Sequence, residues 1–124
     1  MGDKLGDKAP HIFYVNWFRK SPEGKFLWPG FGDNSRVLKW MCERVDGKAD
    51  AKKTPAGYLP TDDALDLSGL DVPAEDMSVL LEVDKEAWKE VELPSIEAHF
   101  ERFGGRLPER LAKEFENLKD RLDK

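Results

Sequence analysis

A single cysteine, only two histidines and no long apolar run set the first limits on this chain of 124 residues. Cys42 stands alone, which excludes an internal disulfide and fits a reducing, cytoplasmic setting. His11, His99 and Cys42 are far apart in sequence, and none has the neighbours that metal-ligand spacing requires. No apolar stretch approaches the ~20 residues that span a bilayer, so no membrane association is expected. The opening residues Met1-Gly2-Asp3-Lys4 carry no apolar segment of the signal-peptide kind, again an expectation of cytoplasmic location. No G-x-x-x-x-G-K-[ST] phosphate loop occurs, and Gly30-x-Gly32-x-x-Ser35 lacks the third glycine of a dinucleotide fingerprint. A net positive excess is lacking as well. The formal net charge is −5, which is far from a nucleic-acid footprint.

Aromatic residues, by contrast, are concentrated. Eight of the chain's thirteen lie between Phe13 and Trp40. Part of this group falls in Phe26-Leu27-Trp28-Pro29-Gly30-Phe31-Gly32-Asp33-Asn34, where proline and glycine impose a turn in which not every ring can be buried. Rings held in a loop suggest a slot that stacks a flat ligand, with polar groups beside it to read the ligand's edge. The bland alternative is that all of these rings are core, as aromatics usually are. Residues 1–50 carry a small positive excess, with Arg19, Lys20, Lys25 and Arg36 around the rings, and residues 51–83 are the most acidic segment. That distribution suits a small anionic ligand at the rings.

His11 to Phe18 reads as a strand buried on both faces, and Lys25 to Trp28 as a short return strand after the Ser21–Gly24 turn. A helix is expected from Asn34 or Ser35, either of which is a good cap, to about Val45, with Val37, Leu38, Met41 and Val45 on one face. Cys42 within it reads as a buried thiol. Residues 48–72, rich in Pro, Gly and Asp, read as a long loop with at most a short helix over 62–66. Pro73 opens a helix through Leu81, and Asp84 caps another carrying Trp88, Val91, Ile96, Phe100 and Phe103, which Pro94 should kink or break. His99 lies beside the apolar face of that helix and reads as structural. Gly104-Gly105 separates a last helix from Pro108 to about Leu122, with Leu111, Phe115, Leu118 and Leu122 as its stripe.

The motifs Val15-Asn16-Trp17-Phe18-Arg19-Lys20 and Phe26-Leu27-Trp28-Pro29-Gly30-Phe31-Gly32-Asp33-Asn34-Ser35-Arg36-Val37-Leu38-Lys39-Trp40 together resemble the C-terminal region of the GTP-dependent phosphoenolpyruvate carboxykinases. The resemblance runs from about Pro10 to the C-terminus and is weaker after about Lys48. It implies an α/β fold: the chain would be the C-terminal portion of a carboxykinase-like nucleotide-binding domain, helix-rich with one or two short strands and a long loop. Residues 1–124 would then form a single partial domain of a longer enzyme. The resemblance also implies that Phe18 and Phe31 sandwich a guanine, that Trp17 and Phe26 complete the wall, and that Phe31, Gly32, Asp33 and Asn34 run along the base's polar edge. Trp28 and Trp40 are left as core. The family usually has glutamate where this chain has Asp33, a change that keeps the charge.

Asn34 is the expected reader of the base. A carboxamide can donate to guanine O6 and accept from N1–H in one plane, but it can also flip to suit adenine. Gly30 and Gly32, without Cβ atoms, let the main chain approach the base edge. Asp33 at the start of the helix would repel a triphosphate, so the base rather than the phosphates is expected there.

For the whole enzyme the resemblance implies conversion of oxaloacetate and GTP to phosphoenolpyruvate, GDP and CO2 in gluconeogenesis, with Mn2+ at the active site. The family's phosphate loop, metal ligands and oxaloacetate-binding arginines have no counterpart in this sequence. No catalytic or metal-binding residue is therefore assigned, and the chain alone is expected to be inactive. Its expected partners are guanine nucleotide and the remainder of the carboxykinase chain. The alternative is a non-catalytic docking module whose aromatic face packs on a partner.

Overall fold

The computed structural model describes residues 2–124. Met1, part of the opening segment considered above, lies outside them. A short helix α1 (Gly2–Leu5) runs into a 3-10 turn at Gly6–Lys8, and an extended segment leads to the aromatic loop. A 3-10 turn at Phe31–Asp33 continues directly into α2 (Asn34–Val45). Strands β1 (Ala51–Thr54) and β2 (Gly57–Pro60) form a two-stranded hairpin. Next come α3 (Ala74–Leu80), α4 (Lys85–Ala87), a π-helical turn Trp88–Glu92, α5 (Leu93–Glu101), a 3-10 turn Gly104–Arg106 and α6 (Glu109–Asp123). The chain is thus helix-rich with one small sheet among the described residues. It divides into two compact units: residues up to Ala51 with Pro60–Leu81, and Lys52–Leu59 with Glu82–Lys124.

In the first unit the core is built on Trp28, Trp40, Leu65 and Met77, with Phe13, Trp17, Val37 and Met41 packed against it. The Phe13 and Trp40 rings meet edge to face at 6.0 Å. Each buried indole N–H finds an acceptor, as burial demands: Trp40 Nε1 donates to the Asp50 carbonyl at 3.1 Å and Trp28 Nε1 to Asn34 Oδ1 at 2.9 Å.

Several expectations change here. His11 to Asn16 has no ladder partner among the described residues, Trp17 and Phe18 form a turn, and the segment is not buried on both faces. Phe13, Val15 and Trp17 turn inward while Ile12, Tyr14 and Phe18 stand exposed, the period-two alternation of a half-buried strand. The return segment contributes a single antiparallel bridge, Lys20 to Phe26. The paired strands lie instead within the segment read as a long loop, and residues 62–66 form turns rather than a helix. On α2, Trp40 is the buried residue, and the inward face has rotated toward it. Leu38 and Val45 are accordingly exposed, as is Cys42.

In the second unit Asp84 caps α4, its Oδ1 accepting from the Ala87 N–H at 3.0 Å. Pro94 does not break the helix that follows. It lacks an N–H for the Glu90 carbonyl and its ring would crowd that carbonyl, and the backbone widens into the π turn Trp88–Glu92 just before it. Phe100 and Phe115 pack edge to face at 5.8 Å, and Leu122 is 1% exposed while Leu111 is 49% exposed. Arg121 Nε donates to the Pro55 carbonyl and Nη2 to Glu114 Oε1, both at 2.9 Å, so the hairpin turn is tied to α6.

Two outcomes follow from this packing. Leu122→Ala should lower unfolding free energy by about 2–4 kcal/mol in urea denaturation, and Leu111→Ala by less than about 1 kcal/mol. The Asn117 amide and then the Arg121 guanidinium hold the Glu114 carboxyl below its ordinary range. A depressed acid contributes stability above the ordinary glutamate range and loses it as pH falls through the folded value. Glu114→Gln should therefore flatten the acid side of the stability–pH curve, read by urea midpoints from pH 7 to pH 3.

Candidate functional site

The aromatic loop of the first unit is shaped by short local bonds. Asn16 Oδ1 accepts from the Phe18 N–H at 3.1 Å, closing an Asx turn that directs Phe18 off the core while Trp17 turns into it. The chain then doubles back: Leu27 N–H donates to the Arg19 carbonyl at 3.0 Å and Ser21 N–H to the Lys25 carbonyl at 2.8 Å. That fold-back brings the Phe18 and Phe26 rings to 6.3 Å, edge to face, and places the Lys20 ammonium 4.8 Å from the Phe26 ring centre. Leu27 and Trp28 are buried immediately afterward.

Pro29-Gly30 then reverses the chain outward. Gly30 takes φ +76°, which its missing side chain permits, and Phe31 follows at φ +48°. Phe31 is the one non-glycine residue with positive φ among the described residues. A bulky side chain in this conformation is strained by ~1–3 kcal/mol. Yet the ring is 96% exposed, so no burial offsets the strain. Phe18 at 73% and Phe26 at 51% are exposed beside it in sequence order, an apolar group that the core does not use.

The polar side of the loop is ordered by α2. Asp33 lies 3.1 Å from the Arg36 guanidinium, which also donates to the Asp66 carbonyl at 2.6 Å. The carboxylate at the helix start is thus paired rather than bare. Ser35 Oγ donates to the Gly32 carbonyl at 2.6 Å, and Asn34 is half-buried with its oxygen on the Trp28 indole. A Cβ built on Gly30 or Gly32 would meet nothing within 4 Å, so both face open space.

The expected site residues are therefore distributed as follows. Phe18 and Phe26 are in ring contact, whereas Phe31 is exposed and makes no ring contact among the described residues. Trp17 is half-buried against the core, Gly32 and Phe31 form the loop tip, Asp33 pairs with Arg36, and Asn34 opens the helix. Two contributors escaped the reading of the sequence: Asn16, through its Asx turn, and Trp28, taken only as core; Lys20, expected near the rings, lies over Phe26. An Asn two residues before an aromatic is a legible turn signal, but the Trp28–Asn34 pairing has no helical or strand spacing to announce it. His99 is exposed and stacks edge-on to Phe103 at 5.2 Å. Two open cavities of about 620 and 270 Å3 lie in the second unit, around Phe100, Leu107 and Phe115 and around Trp88, Ile96 and Leu118, and contain none of the loop residues. The first is rimmed by Glu97, Glu101, Glu109, Glu116 and Lys113, a net acidic lining that disfavours an anionic ligand, and the second is largely apolar with the Glu114–Arg121 pair at its edge, so the loop remains the better candidate.

The strain argument yields a direct outcome. Phe31→Gly should leave the chain as stable or up to about 1 kcal/mol more stable, and Phe31→Ala should give no such gain, in thermal or urea unfolding.

A family description, "Phosphoenolpyruvate carboxykinase C-terminal P-loop domain", matches residues 1–121. The GTP-dependent phosphoenolpyruvate carboxykinase of Renibacterium salmoninarum is 54% identical over 121 residues, covering 96% of this chain and 20% of that protein. That of Neocallimastix frontalis is 55% identical over 116 residues, covering 93% of this chain and 19% of its own. That of Corynebacterium efficiens is 45% identical over 122 residues, covering 98% and 20%. The chain spans about a fifth of the length of the curated relatives it matches.

Proposed function

The chain belongs to the GTP-dependent phosphoenolpyruvate carboxykinase family, matching its C-terminal domain, and on that premise we propose that residues 17–34 hold the base of a guanine nucleotide. One observation carries the reading: the Phe31 ring, 96% exposed on a left-handed backbone. A protein that keeps a strained, solvated phenyl ring gains nothing in folding from it, whereas a purine stacked on it recovers the lost contact. Each base–aromatic contact contributes about 1–3 kcal/mol.

In this reading Phe31 covers one face of the base and Phe18, supported by Phe26, covers the other. Trp17 closes the wall from the core side. Gly32, Asp33 and Asn34 lie along the base edge, with Asn34 donating to O6 and the main chain of the glycine-rich tip approaching without steric hindrance. Pairing of Asp33 with Arg36 lowers the repulsion a nucleotide would meet at the start of α2. The phosphates extend away from that helix.

The activity of a complete carboxykinase, decarboxylation of oxaloacetate with phosphoryl transfer from GTP, would need residues beyond this chain. Among the described residues no group of three or more His, Cys, Asp or Glu is placed to hold a metal ion, so the Mn2+ expected of the whole enzyme does not fit here and is assigned to the remainder of a carboxykinase chain. The two units together make part of one nucleotide-binding domain. No helix among the described residues is long and apolar enough to cross a membrane.

A second role has its own observation. Ile12 and Tyr14, each 92% exposed, lie on an extended segment with an unpaired backbone edge. Such an edge suits strand addition by the remainder of a carboxykinase chain. A docking face of this kind is indifferent to the identity of a base.

Titration with GTP and separately with ATP, following the Trp17 and Trp28 indole NMR signals, tests the base reading. Saturable shifts with GTP at concentrations where ATP gives none are expected, and Phe31→Gly should abolish them. Indole signals that ignore both nucleotides in the folded chain would sink the proposal. The same sample should show no oxaloacetate decarboxylation above a buffer blank when GTP and Mn2+ are supplied.

A further inference from the structure

Asn34 alone does not distinguish guanine from adenine, because a carboxamide turned over by 180° exchanges its donor for its acceptor. What removes the ambiguity is its partner. An indole N–H only donates, so the Asn34 atom 2.9 Å from Trp28 Nε1 must be the oxygen. Trp28 is 5% exposed and packed with Trp40, Leu65 and Met77, so its ring cannot follow a turning amide. Flipping Asn34 would set its amino group against the indole N–H, donor against donor, and would strand a buried polar group. With the oxygen held, the Nδ2 amino group has no partner among the described residues, and none of their buried side-chain polar atoms is left unsatisfied. The amino group is therefore solvent-accessible and available to a ligand.

We propose that Trp28 is a positioning residue for base selection: its indole N–H locks the Asn34 carboxamide so that the loop offers a fixed donor to a purine. A 6-oxo purine presents an acceptor at that position and pairs with it. A 6-amino purine presents a donor and is opposed. The discrimination thus originates six residues before the reader, in a side chain that never touches the base. This inference rests on the base-slot reading above and deepens it by naming what sets the slot's polarity.

The decisive comparison uses Trp28→Phe, which keeps a large ring in the core and removes the N–H. Affinities for GTP, ITP and ATP are measured by the same NMR titration or by calorimetry. ITP shares the 6-oxo group of GTP but lacks its 2-amino group, so it isolates the contact at O6. Loss of the lock should lower the GTP:ATP and ITP:ATP affinity ratios together by about tenfold, the scale of one mispaired hydrogen-bonding group. A purely structural role for Trp28 would weaken all three nucleotides alike and leave the ratios unchanged, which overturns the proposal. Asn34→Asp, which retains an oxygen for the indole and removes the donor, should weaken GTP and ITP by a similar factor; unchanged affinity for both also overturns it. If Trp28→Phe fails to fold, the wild-type chain still decides. A through-hydrogen-bond coupling between Trp28 Nε1 and Asn34 Cγ must be present with GTP bound, and its absence removes the lock. A wild-type chain that binds no nucleotide defeats the base-slot reading and this inference together, whereas GTP selectivity that survives Trp28→Phe defeats this inference alone.

Discussion

The Trp28 indole is driven into the first unit by its area, but its N–H cannot enter an apolar core without an acceptor. Asn34 supplies that acceptor, and the two requirements together shape everything between them. With residue 28 inside and residue 34 at the start of α2, five residues must leave the core, turn and come back. Pro29 and Gly30 make the exit possible, Gly30 by taking a backbone conformation closed to other residues. Phe31 is carried to the outer edge of the excursion because the loop has no length left in which to bury it. The exposed ring and the oriented Asn34 amide are thus two consequences of a single anchoring contact.

Electrostatics reinforces the same loop from the other side. Arg36 pairs with Asp33 and also donates to the Asp66 carbonyl, linking the start of α2 to the acidic segment that supplies Leu65 to the core. The ion pair itself is partly exposed and contributes little to stability. Its value is local: it offsets the Asp33 charge at the start of α2. The Lys20 ammonium lies over the Phe26 ring and keeps positive charge beside it.

Much of this was legible in the sequence wherever the signal was local. α2, α3 and α6 begin and end, and α4 begins, close to where proline, aspartate and the 3.6-residue apolar period place them, because caps and periodicity act over a few residues. The β-hairpin was not legible. Ala51–Thr54 and Gly57–Pro60 are short, the first is interrupted by Lys52-Lys53, and they are joined at Pro55-Ala56 rather than by an Asn-Gly turn. His11–Phe18 has the composition of a strand, but a ladder requires a partner, and partnership is a non-local property. The face of α2 was misjudged for a related reason. A stripe of Val37, Leu38, Met41 and Val45 fits a helix in isolation, while the actual orientation is set by Trp40 meeting Phe13 and Trp28. At the candidate site, the motif residues were visible as a group. The Trp28–Asn34 contact was not, since six residues across an outward turn match no regular period.

Base reading and phosphate chemistry place different demands on a chain, and the difference bears on how a short segment could carry the one proposed here. Stacking and edge recognition need only rings and one oriented amide, which the proposed reading draws from contiguous sequence between residues 17 and 34. Phosphoryl transfer needs cations and several charged groups held around a reacting centre, and these must converge from separate elements to be positioned at all. Specificity for the base is therefore the part of a nucleotide-dependent reaction most easily confined to one stretch of chain. The strained Phe31, the exposed rings and the Asn34 amide all lie within one unit, and the Trp28 anchor is buried in that unit's core.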